Sequence, residues 1–297
     1  MRLLKYVSLY TLCLIPFGGF CQQYNFRHFT TKNGLANPFV NHIFCDSRGF
    51  MWMSTQGGLS KFDGSSFINY TSREGLPSSD VLCSAEDSEG NLWIGTNGAG
   101  VARFNGSTFT TYDSTNGFIN GSVFSIFSDS KNRLWFATSK GIFSFSKGRF
   151  TNYATTKGLP QTEYFSVCED LRGTIWFGSK DYGPVSYNGQ TCVVVPENSP
   201  IYKKSVFTLY CAQDGKIWCG TPGDGLFIQG ENDFYHFDDE RISAEFISSI
   251  RQDAHHNLWI ATDNQLVKIN GSKKQYFTVD NGLTSNTIFS LGFDKDG

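Results

Sequence analysis

Six tryptophans are spread over the 297 residues, and all six fall on one period. They are Trp52, Trp93, Trp135, Trp176, Trp218 and Trp259, separated by steps of 41, 42, 41, 42 and 41 residues. Spacing this regular marks a tandem repeat, in which one supersecondary unit is copied and stacked. The neighbouring slots repeat too. Six positions before the tryptophan stand Asp46, Asp87, Asp129, Asp170 and Asp253, with Ala212 as the exception. Three before stand Gly49, Gly90, Asn132, Gly173 and Gly215, residues that accept a left-handed turn; His256 departs from that choice. Two after come only small residues: Ser54, Gly95, Ala137, Gly178, Gly220 and Ala261. Three after there is always a hydroxyl: Thr55, Thr96, Thr138, Ser179, Thr221 and Thr262.

Each unit reads as four short strands. In the second these are residues 81–86, 92–96, 100–104 and 109–112, joined by turns at Ser88–Asn91, Asn97–Ala99 and Asn105–Gly106. Many glycines, few prolines and no sustained helical period agree with a chain that is all-β. Four strands in 41–42 residues is the pattern of a β-propeller blade, whereas solenoid repeats of this period are helical pairs. The tryptophan beside a small residue suits a packing layer between blades.

Asp294 and Gly297 fill the aspartate and glycine slots once more, which places a seventh tryptophan near position 300 on the observed period. The expected architecture is therefore a seven-bladed propeller cut within blade seven. Residues 24–30 resemble the strands that close units one to three, Phe67–Tyr70, Phe109–Tyr112 and Phe150–Tyr153, and like them precede a Gly-Leu-type step. They are expected to close the ring as the last strand of the final blade. One domain, 22–297, follows a signal peptide, 1–21.

That leader has a basic start, Arg2 and Lys5, then the mostly apolar run Tyr6–Phe20, with Gly19 and Cys21 at −3 and −1 of a cut before Gln22. The run is short of the about 20 apolar residues of a membrane span, so a cleaved signal is expected. Acylation of Cys21 is the weaker reading, because bulky Phe20 stands where a small residue is wanted. A net charge of −2 without any basic run argues against a nucleic-acid surface.

An aspartate present in nearly every unit is a repeat feature; ahead of a turn it accepts backbone N–H groups. It differs from a sialidase Asp-box, whose carboxylate-to-glycine spacing is one residue shorter. The six cysteines after the leader show no close pair and read as small buried hydrophobes. His255 and His256 lack a third ligand, so no metal is expected, and no motif calls for a cofactor. No nucleophile grouping or phosphate loop is present, and no catalytic residue is assigned. If the ring binds a ligand, the loops between blades and those between second and third strands share one rim. The non-repeating candidates there are His42, Glu163, Tyr164, Asp181, Tyr182, Tyr202, Lys203 and Lys204. Aromatic rings beside charges suit a sugar face or an anionic ligand.

The unit D-x-x-G-x-[LI]-W-[IF]-[GA]-T, then a strand such as Gly100–Phe104 or Gly58–Phe62 and an F-x-x-Y strand, closely resembles the two-component regulator propeller repeat over residues 24–297. The resemblance implies the extracytoplasmic sensor of a bacterial membrane histidine kinase, often a hybrid one, on the periplasmic side of a Gram-negative inner membrane. It implies a homodimeric receptor, an oligosaccharide as the ligand class, and membrane attachment through parts beyond Gly297. The alternative is a periplasmic propeller enzyme, a lyase or glycan-cleaving one that would want a catalytic histidine or paired carboxylates on one rim, where only His42 with Glu163 offers a case, or a plain binding scaffold.

Overall fold

The computed structural model describes residues 26–295. The leader and the residues up to Asn25 lie outside that range. Six four-stranded antiparallel sheets follow one another, each built from consecutive strands in the order they leave the chain. The fold is a β-propeller with six such blades. In blade two the strands are Val81–Glu86, Leu92–Thr96, Val101–Phe104 and Phe109–Tyr112. The inner strands of successive blades adjoin one another and form the wall of a central channel.

The repeat slots explain why every unit folds alike. The aspartate six before the tryptophan turns the chain between strands one and two. Asp46 Oδ1 accepts the amides of Arg48 and Phe50 at 3.0 and 2.9 Å, while Oδ2 accepts the Trp52 indole N–H at 2.9 Å. The glycine slot is left-handed in all six blades, at φ 91° for Gly49 and 59° for Asn132. His256 keeps that conformation at φ 65°, so it departs from the pattern in residue type only. The hydroxyl three after the tryptophan clamps the next turn: Thr96 Oγ1 donates to the Gly100 carbonyl at 2.8 Å.

The small residue two after the tryptophan is there because neighbouring blades meet on it. A Cβ at Gly95 would lie 2.5 Å from Cys83 Sγ and 2.9 Å from the carbonyl oxygen of Val123 in the next blade. The tryptophan then covers the seam. Trp93 meets Phe136 and Phe145 of blade three at 5.7 and 4.7 Å between ring centres. The core is thus a series of seams between blades, each holding a cluster of buried apolar side chains.

Two expectations are corrected. The structure has six blades, not seven. Residues on the seventh period run between the inner strands of blades six and one without pairing as a strand. They are held by single spaced bonds: Ile288 N–H to the Thr262 carbonyl at 3.0 Å, Leu291 N–H to Ser249 Oγ at 3.3 Å, and Ile43 N–H to Ser290 Oγ at 3.1 Å. A strand needs an unbroken ladder, which these contacts do not supply. Beside them Met51 and Met53 of blade one stay partly exposed, although the same slots are buried in the other five blades.

The second correction is at the other end. Residues 26–30 form no strand, because no third strand lies beside them to pair with among the described residues. Phe29 instead packs edge-on against Phe62 and Phe67 of blade one, at 4.9 and 5.6 Å. Thr30 caps the short turn Thr31–Asn33, the first of three such capped 3-10 turns that end on left-handed Gly34, Gly75 and Gly282.

Candidate functional site

The channel is where the blades stop being equivalent. A cavity of about 510 Å³ is walled by the inner strands of all six blades together with Phe289 and Ser290. Its shape starts from a bulge. In blades one to four and six the ladder between strands one and two skips one residue, eleven before the tryptophan: Asn41, Leu82, Phe124, Phe165 and Ser248. A bulge frees its extra residue from the ladder and re-aims the side chain. All five of these residues, with Phe207 and Phe289 in the corresponding slots, line the cavity. The phenylalanines form a collar, with ring centres 5.3 Å apart for Phe124 and Phe165 and 5.7 Å for Phe165 and Phe207. Phe246 extends it, 4.8 Å from Phe207.

Three residues further along each inner strand lie Phe44, Ala85, Phe127, Cys168, Tyr210 and Arg251. Arg251 lines the cavity and makes no ion pair with any described carboxylate. Its one side-chain hydrogen bond among the described residues goes to the carbonyl of Ile250, at 2.8 Å. Burial lowers its pKa, and Tyr210 and Cys168 act in the opposite direction. The guanidinium stays protonated throughout the working pH range.

The cavity holds one other charged residue among those described, Glu169. Both its oxygens are engaged by Ser130, from the amide at 2.7 Å and the hydroxyl at 2.7 Å.

The eight rim candidates separate into distinct places. His42 lines the channel, where burial, aided by Arg251, pushes its pKa down to about 3, so the ring is neutral at pH 7. Its Nδ1 faces the Ser84 amide at 3.4 Å. Glu163 and Asp181 share a cleft of about 360 Å³ between blades three and four, where Lys180 pairs with Glu163 at 3.4 Å. Tyr182 and Tyr202 share another, of about 400 Å³, floored by Leu159 and Pro160. Lys203 sits over the Tyr202 ring at 5.2 Å in a left-handed conformation, φ 58°. Lys204 is committed to Asp224.

Tyr164 is wholly buried and donates to the Pro160 carbonyl at 2.8 Å; it belongs to the core and offers a ligand no surface. His42 and Glu163, the pair an enzyme would need, line separate cavities. The sequence reading passed over Arg251, although it is the one charged residue in a slot filled elsewhere by Phe, Ala, Cys and Tyr. That contrast is the signal that would have found it. No group of potential metal ligands occurs among the described residues, and no described helix is long and apolar enough to cross a membrane.

Comparison with known proteins agrees with the repeat reading. Residues 34–57, 75–98, 117–140 and 241–264 match the family model described as two component regulator propeller. A search of curated proteins finds no match. Among solved structures, the chain is similar to the extracellular domain of BT3049 from B. thetaiotaomicron, described as a hybrid two component system. The identity is 25% with a TM-score of 0.74, over 89% of this chain and 38% of that one. The extracellular domain of BT4673, a second such system from B. thetaiotaomicron, matches at 23% identity and TM-score 0.71, over 87% of this chain and 38% of its own. The chain thus spans under two-fifths of the length of either. A streptogramin B lyase shares the fold, with TM-score 0.72 and 15% identity over 89% of this chain and 90% of the lyase.

Proposed function

We propose that this chain is the exported, ligand-sensing propeller of a two-component receptor, joined elsewhere in the same protein to a membrane span and a histidine kinase. The observation that carries the reading is the repeat itself. Four segments match the two-component regulator propeller, and the fold follows the extracellular domain of a hybrid two component system over 89% of the chain. The residues present act by binding, not catalysis.

In this account the receptor is a homodimer, and a ligand at the rim shifts the population between two packings of the dimer, which the membrane span relays to the kinase. The two rim clefts offer Tyr182 and Tyr202 as stacking faces, with Glu163 and Asp181 as acceptors, a combination suited to an oligosaccharide. The partly exposed Met51 and Met53 suit a seventh blade built outward from residues 286–295.

The test is translation of the gene beyond Gly297. Further repeats leading to a membrane span and a kinase histidine motif support the proposal. A stop soon after a seventh tryptophan near position 300, where the period puts it, would leave a free propeller and overturn the signalling assignment.

A further inference from the structure

Arg251 is a cation without a counter-charge in a channel walled mostly by apolar groups. Taking a charge from water into such surroundings is unfavourable unless something pairs with it. Nothing described in the protein does. Tyr210 and Cys168, the titratable groups that act on it, are neutral at pH 7, and burial raises the pKa of each further. His42 is neutral too, and Glu169, the other charged residue of the cavity, makes no ion pair with Arg251 and has both oxygens on Ser130. The other blades show that the fold does not need a cation in this slot, since Phe44, Ala85, Phe127, Cys168 and Tyr210 fill it elsewhere.

We infer that the central channel is a binding site for a small organic monoanion, an apolar or aromatic carboxylate, with the carboxylate on Arg251 and the hydrocarbon body against the phenylalanine collar.

Three features select that chemistry. The planar fork of a guanidinium matches a carboxylate with two parallel hydrogen bonds, and a single free cation matches a single negative charge better than a phosphate dianion. The collar of Phe124, Phe165, Phe207 and Phe289 offers ring faces to an apolar or aromatic body. The volume of about 510 Å³ lies in the range of small-molecule sites. The site differs in place and chemistry from the rim clefts, and the inference stands on the channel alone.

The test is calorimetric titration of the full chain with phenylacetate, phenylacetamide, glucuronate and inorganic phosphate. Saturable binding of phenylacetate is expected, at least tenfold tighter than its neutral amide and than either of the other two anions. Arg251→Met, with an unchanged melting curve to show that it folds, should weaken phenylacetate binding tenfold or more, and Arg251→Lys should retain part of it. The inference is overturned if phenylacetate shows no saturable binding, if acid and amide bind alike, or if Arg251→Met leaves the affinity unchanged. Tighter binding of glucuronate or phosphate would overturn the apolar part of it. None of these outcomes bears on whether a kinase follows in the gene, so the two proposals fail separately.

Discussion

Trp218 Nε1 is buried without a hydrogen-bond partner among the described residues, and the residue six positions earlier is Ala212. In each of the other five blades that position is an aspartate whose Oδ2 accepts the indole N–H, at 2.8–3.0 Å. Blade five therefore carries an unsatisfied donor that its siblings do not. Ala212→Asp should raise the stability of the chain by about 1 kcal/mol, the net worth of one such bond. The reverse change in blade six, Asp253→Ala, should cost about 2 to 3 kcal/mol, because it orphans the Trp259 N–H and two turn amides. Urea unfolding of the two variants measures both; a destabilised Ala212→Asp would show that the pair does not act as described.

The left-handed turn gives a second site for gain. His256 holds φ 65° where glycine serves in four blades. A side chain in that conformation costs about 1 kcal/mol or more, so His256→Gly should raise the free energy of unfolding by about that amount and the unfolding midpoint with it. An unchanged or lower midpoint would mean that the His256 side chain makes a compensating contact.

Acid should loosen every blade that has the aspartate pair and a depressed carboxyl. Burial by itself raises the pKa of Asp46, Asp129, Asp170 and Asp253, but hydrogen bonds from the tryptophans and turn amides outweigh it, and all four titrate below the ordinary range, Asp253 at about 2. A folded-state pKa lower than the unfolded value means that the stabilisation is complete above about pH 5, about one unit over the unfolded value, and is lost as pH falls through the folded value. Denaturant midpoints should hold level from neutral pH to about 5 and fall between about 4 and 2. A midpoint still level at pH 2 would contradict this.

At the seam between blades two and three, Gly95→Ala should cost about 2 to 3 kcal/mol, since the Val123 carbonyl is backbone and cannot turn aside. Adding Cys83→Ala should recover part of the loss by removing the sulfur from the same space. Independent, additive costs in the double variant would place the clash elsewhere.

Blade one offers a contrast with blade two at equivalent slots. Met53 is partly exposed while Ile94 is fully buried. Met53→Lys should cost about 1 kcal/mol or less and Ile94→Lys several, by the difference between a half-wet and a dry site for a charge. Equal losses, read from thermal unfolding of this chain, would mean that Met53 is as enclosed as Ile94.

Most of the scaffold was legible in the sequence because each repeat slot does one local job. The aspartate, glycine, tryptophan and hydroxyl act within about ten residues of one another, and the blade-two strands lie within one residue of where the pattern put them. Closure was not legible, because whether residues 26–30 and 286–295 pair as strands depends on what lies beside them in space. The site was hardest to read. Tyr164 looked like a rim residue, yet its ring fills the seam slot twelve before the tryptophan, where the other blades place Val40, Val81, Val123, Val206 and Ile247. Arg251 was hidden by the opposite error, that of reading inner-strand slots only for what they share. In a repeat protein the scaffold lies in the agreement between copies and the site in their disagreement.

The central claim is that this propeller controls a kinase, and phosphohistidine formed by the full-length protein in membrane vesicles with labelled ATP tests it most directly. The intact protein and a form lacking residues 26–295 should both incorporate phosphate, at different levels, because removing the sensor changes the population of active dimers. Absence of phosphohistidine in both, or the same level with and without the propeller, would contradict the account.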